Sequence, residues 1–93
     1  MEIEFEWDPD KEKQNIRKHG VSFHEAATVF GDLLSWTFPD PDHSIGEHRY
    51  LTVGISLQGK TLIVSHMDRG KKTRLISARK TTRRERKYYE EDK

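Results

Sequence analysis

The chain has 93 residues, 35% charged and 32% hydrophobic, with no cysteine. That length makes one domain, 1–93, with a thin core, and the missing cysteines exclude disulfides, thiolate zinc sites and thiol nucleophiles. The net charge of +1 conceals a split: residues 1–68 hold 6 Lys/Arg against 12 Asp/Glu, and residues 69–93 hold 11 against 4.

A basic C-terminal quarter on a near-neutral chain makes a polyanion its natural partner. A solvated basic helix paired with the acidic half is the competing reading. Apolar runs are short and the first twenty residues are acidic and polar. A membrane span and a secretory signal are therefore not expected, and a cytoplasmic location is.

Residues 2–7 alternate strictly, with Ile3, Phe5 and Trp7 on one face, which predicts a half-buried strand. Asp8-Pro9 supplies an N-cap and a proline at the first helical position, and Gly20 closes that helix. Ser22 and Glu25 form a capping box for a second helix, with Val21 and Ala26 as its hydrophobic staple. Phe23, Ala26, Ala27 and Phe30 make its apolar stripe. Leu33 to Phe38 reads as a short strand, and residues 39–46 as an exposed loop dense in turn formers.

Arg49 to Leu57 alternates again, with Leu51, Val53, Ile55 and Leu57 predicted inward and Arg49 in phase with them. Gln58-Gly59 is a candidate two-residue turn into a strand over Lys60–Met67. Residues 68–72 read as a charged turn before a strand over Thr73–Arg79. That strand carries Leu75 on one face and Ile76 and Ala78 on the other, so it should be central and covered on both sides. Thr82 with Glu85 opens a basic terminal helix over about 82–91. The order β-α-α-β-β-β-β-α, with short turns between strands, predicts an α+β fold with a mostly antiparallel sheet.

The five histidines form no metal-binding motif, and no phosphate-binding glycine loop is present. Asp40, Asp42 and His43 cluster in the loop, where a turn rich in Asp and Pro accounts for them better than a cation. No metal or other cofactor is expected. Arg69, Lys71, Lys72, Arg74, Arg79 and Lys80 line the last hairpin, and Arg83 follows on the terminal helix. A guanidinium binds phosphate through two parallel hydrogen bonds and keeps its charge when partly buried. These residues therefore suggest a phosphate site on the sheet. Ion pairs of Arg74 and Arg79 with Glu47, Glu85 or the acidic first strand are the alternative.

Positions 74 and 79 have opposite parity, so one site can use both only through a bulge or beyond the strand end. Glu47 and Arg49, two apart at a strand start, project to one side. They suit either a proton acceptor beside a phosphate clamp or a strand-end salt bridge. His19 ends the first helix, where it can act as acid or base, or simply complement the helix dipole. Tyr88 and Tyr89 serve to stack on bases or to anchor the last helix.

Five segments carry a resemblance: Phe5-Glu-Trp-Asp-Pro9, Arg17-Lys-His-Gly-Val-Ser-Phe23, Gly46-Glu-His-Arg49, Arg74-Leu-Ile-Ser-Ala-Arg79 and Arg83-Arg-Glu-Arg-Lys-Tyr-Tyr89. In this order, across essentially the whole chain, the sequence resembles the BrnT family of bacterial type II toxins. The resemblance implies a RelE-like fold and a metal-independent ribonuclease whose toxicity is bacteriostatic. It also implies a BrnA-like antitoxin with a ribbon-helix-helix DNA-binding domain. That partner would neutralise the toxin as a dimer holding two copies, and would supply contact with operator DNA.

By position, the resemblance assigns catalytic roles to Glu47, Arg49, Arg69, Arg79 and His19. Lys18, Lys71, Lys72, Arg74, Lys80 and Arg83 become RNA contacts. Leu75 and the Lys71-Lys72 turn depart mildly from the family pattern. The expected chemistry is attack of the RNA 2′-hydroxyl on the adjacent phosphate, with Glu47 as base and His19 as rival base or as acid. A non-catalytic basic module that binds nucleic acid or the antitoxin, as an operon co-repressor, is the alternative function.

Overall fold

The computed structural model describes residues 3–41 and 48–91. Asp42, His43 and Glu47, singled out above, lie outside the described residues. The elements are β1 (Glu4–Glu6), α1 (Pro9–His19), α2 (Phe23–Thr28), a 3₁₀ turn (Val29–Gly31), β2 (Trp36–Pro39), β3 (Arg49–Ile55), β4 (Thr61–Arg69), β5 (Lys72–Lys80) and α3 (Arg83–Glu91). The order matches the predicted one, with the short 3₁₀ turn added.

The described strands form one five-stranded sheet in the order β1-β5-β4-β3-β2. β1 runs parallel to β5 and the other neighbours are antiparallel. The long crossover that a parallel pair requires is the whole of α1 through β4. β5 is thus an inner strand, while β4 occupies the centre.

Local chemistry explains the helix ends. The Asp8 side chain accepts from the Asp10 N–H at 2.8 Å, and Gly20 takes a left-handed φ of 71° while its N–H reaches the Ile16 carbonyl. At α2, Ser22 Oγ accepts from the Glu25 N–H at 3.0 Å, but only half of the expected box forms. The Glu25 carboxylate is buried and instead accepts from Ser56 Oγ at 2.8 Å, with Lys60 Nζ at 3.5 Å. At α3 the box is complete: Glu85 N–H to Thr82 Oγ1 at 3.1 Å, and Thr82 N–H to Glu85 Oε1 at 2.8 Å.

Three strand expectations are corrected. Leu33 and Leu34 are exposed in a turn, and β2 begins only at Trp36. The β3–β4 turn runs from Ser56 to Gly59, whose N–H donates to the Ser56 carbonyl, and Gly59 adopts φ 80°. This matches a three-residue hairpin loop with a left-handed glycine rather than a two-residue turn. The β4–β5 turn is only Gly70-Lys71, so Asp68, Arg69 and Lys72 belong to strands.

The core lies between one sheet face and α1–α2. Val21, Phe23, Ala26, Val29, Leu62, Val64, Leu75 and Ala78 are buried there, with Phe5, Trp7, Ala27 and Phe30 packed against them. On β3 it is Thr52 and Gly54 that face this core. Leu51 and Val53 face the other way, and Ile55 and Leu57 are exposed, contrary to the inward row predicted for them. Gly54 lies against the 3₁₀ turn so closely that a Cβ there would sit 2.9 Å from Val29 Cγ1. No helix of the described residues is long and apolar enough to cross a membrane.

Leu75 and Ala78 share the core face although their parities differ. His66 pairs with Leu75 and Ser65 with Ser77, which leaves Ile76 as an extra residue in β5. Such a bulge reverses the alternation beyond it. Leu75 and Ala78, predicted on opposite faces of this strand, therefore share one.

Candidate functional site

Beyond the bulge, Arg79 and Ser77 point to the same face as Arg74 and Lys72, away from the core. Register then builds cross-strand rows on this outer face. Arg49, Met67, Arg74 and Glu6 form one row, and Arg69, Lys72 and Glu4 form the next. Leu51, Ser65 and Ser77 make a third row, and Val53, Ile63 and Arg79 a fourth. Five of the predicted cations (Arg49, Arg69, Lys72, Arg74 and Arg79) thus share one face. α3 lies over the fourth row and leaves the first two open.

Two acidic residues organise these cations. Arg74 donates to Glu6 Oε2 at 3.0 Å, and Arg69 lies 3.7 Å from the same oxygen. Arg79 donates two parallel hydrogen bonds to Glu85, at 2.8 and 2.9 Å. These bonds are the main reason the Glu85 carboxyl falls to about 2, and they raise the Arg79 pKa. Pairing with the first strand and with Glu85, the alternative to a phosphate site, is therefore realised in this state. The pairs are partly exposed and a phosphate group can compete for the same guanidinium edges.

The other predicted residues are dispersed. Lys18 and His19 stand at the end of α1 and, with Ile76 and Ser77, border a cavity of about 250 Å³ at the β5 edge. His19 and Ser77 thus border the same cavity. Lys80 ends β5 in the row of Leu62, on the opposite face. Lys71 is in the hairpin turn, and Arg83 starts α3. Asp40 is buried, with its N–H donating to the Arg49 carbonyl at 2.9 Å.

Sequence reasoning missed Asn15. It is buried on α1, donates to the Val21 and Ala78 carbonyls at 2.8 Å each, and accepts from the Ala78 N–H at 3.1 Å. β1 covers β5 only as far as Arg74, and past that point Asn15 satisfies the edge backbone as another strand would. A lone Asn in a polar helix gives no sequence signal of this. His66 was also missed. Its Nε2 lies 2.7 Å from Thr52 Oγ1, which is 2.7 Å from Thr37 Oγ1, and its Nδ1 is buried without a partner among the described residues. Burial between Phe30 and Tyr50 pulls its pKa down to about 4, against a smaller raising effect of Asp68.

A small α+β domain with a bulged sheet that gathers arginines on one face belongs with proteins that handle phosphate-bearing polymers. The family comparison makes this specific. Residues 7–85 match the family described as "Ribonuclease toxin, BrnT, of type II toxin-antitoxin system", and the chain belongs to that family. The 1.1 Å crystal structure of the Brucella abortus ribonuclease toxin BrnT aligns over 88% of this chain and 100% of its own. The TM-score is 0.69 at 22% identity, a similarity of fold. None of the curated proteins matches this chain. Membership of a toxin-antitoxin family brings with it an antitoxin as partner and RNA as substrate.

Proposed function

We propose that the chain is a metal-independent endoribonuclease whose reaction occurs on the outer sheet face around Arg49, Arg69 and Arg74. The supporting observation is the Ile76 bulge, which turns arginines of opposite parity toward one surface. The RNA 2′-hydroxyl attacks the neighbouring phosphorus, the P–O5′ bond breaks, and a 2′,3′-cyclic phosphate forms. Glu47 takes the 2′-hydroxyl proton, and His19, which shares a cavity with Ser77, returns one to the leaving oxygen. Arg49 and Arg69 stabilise charge on the phosphorane, and Arg79, three rows from Arg69, meets a neighbouring phosphate of the strand when that phosphate displaces Glu85. Lys18, Lys71, Lys72, Arg74 and Arg83 hold flanking phosphates, while Lys80, on the opposite face, does not. Dependence on the 2′-hydroxyl selects RNA over DNA.

The antitoxin in this reading is BrnA-like, a ribbon-helix-helix dimer that holds two toxins and contacts operator DNA on their behalf. The test is purified protein with bacterial RNA in EDTA, beside Glu47→Ala and Arg49→Ala. Wild-type cleavage with cyclic phosphate ends is expected, reduced roughly 10²–10³-fold in Arg49→Ala. Equal cleavage by Glu47→Ala would discard that base. Salt-dependent RNA binding without cleavage by any form would favour the non-catalytic module.

A further inference from the structure

On the same outer face, beyond the Leu51–Ser65–Ser77 row, β2 and α3 enclose an apolar groove. It has a volume of about 280 Å³ and is lined by Trp36, Phe38, Val53, Ile63, Tyr88 and Tyr89, with Glu85 at one end. Trp36 and Phe38 are tilted against each other at 5.5 Å, and Trp36 and Tyr88 remain 48% and 57% exposed. Tyr89 is buried and its hydroxyl donates to Asp32, which fixes α3 over the groove. Tyr89 thus anchors one wall while Trp36 and Tyr88 keep about half of their surface exposed.

We propose that this groove is a nucleobase subsite, which stacks a base of the RNA strand whose phosphates lie on the arginine rows. This rests on the reading of the outer face as the RNA surface. Four features favour a base over a segment of protein. The groove is short and flat-walled, close to the small end of ligand sites at roughly 300 Å³. It lies on the cation-bearing face, and Val53 to Arg49 is four strand residues, about 13 Å, a span that roughly two nucleotides bridge. Arg84 and Lys87 border Tyr88 on its far side together with Glu91, which lies 3.8 Å from Lys87, so Arg84 carries positive charge past the groove, as a single-strand track requires. The leucines most available to a protein partner, Leu33 and Leu57 at 99% and 87% exposed, lie outside it.

The probes are two 2′-O-methyl oligonucleotides of equal length and charge, which lack the attacking hydroxyl. One bears bases throughout and the other is abasic at its central positions. Fluorescence anisotropy should show the wild type binding the base-bearing strand about ten-fold more tightly or better. Trp36→Ala should erase most of that preference while leaving affinity for the abasic strand unchanged, and Trp36→Phe should restore it. Equal wild-type affinity for both strands would overturn the subsite and leave the phosphate reading intact. Binding of neither strand at low salt would sink both. If Trp36→Ala keeps the preference but loses the antitoxin, the groove belongs to the protein partner and the proposal fails.

Discussion

The two faces of the sheet are built from alternate residues of the same strands, yet they obey different rules. On the helix-covered face, Leu62 and Val64 are fully buried and Leu75 and Ala78 nearly so, and Asn15 and Glu25 are enclosed with hydrogen-bond partners. On the outer face, Arg49, Met67, Arg74 and Glu6 form a charged row that no packing requires. One residue of displacement along a strand separates stability from chemistry. A substitution on the core face should therefore be read in Tm, and one on the outer face in RNA binding or cleavage.

The most severe break of this division is expected from Asn15→Leu. It leaves the Val21 and Ala78 carbonyls and the Ala78 N–H buried without partners, each worth about 1–3 kcal/mol. Denaturant unfolding should register a loss of about 4 kcal/mol, and a loss below about 1 kcal/mol would show that the β5 edge finds other partners.

The second test uses pH. His66 has its folded pKa lowered from 6.5 to about 4 by burial, so the unfolded chain binds the extra proton between those values. Stability should be intact above pH 6.5, fall as pH drops toward 4, and level off below, by about 3 kcal/mol in all. His66→Gln should flatten this window. A wild-type profile that stays level from pH 7 to 4.5 would mean that the imidazole is solvated.

The smallest effect sharpens the other side of the comparison. Glu6→Gln removes the carboxylate that occupies Arg74 and Arg69. Because these ion pairs are partly exposed, Tm should barely move. Affinity for a non-cleavable RNA strand should rise a few-fold at low salt, with a steeper salt dependence. Weaker binding would make Glu6 an organiser of the arginines rather than their competitor.

The order of the elements, the helix caps at Asp8, Gly20, Ser22 and Thr82, and the concentration of positive charge in the last quarter were legible in the residues alone. Those signals are local, since a cap or a left-handed glycine acts on groups within a few residues. The five spaced segments also sufficed to indicate the family that the comparison shows. Tertiary structure decided the rest. Whether Arg74 and Arg79 share a face depends on which β4 residues pair with β5, and no local rule places the extra residue at Ile76. Glu25 does not close its expected cap because Ser56 and Lys60, from the β3–β4 region, hold its carboxylate. Asn15 gained its role only because β1 stops short and leaves a backbone edge to satisfy. Pairing, bulging and edge completion are contacts between residues as many as 68 apart, so they exist only once the sheet has assembled.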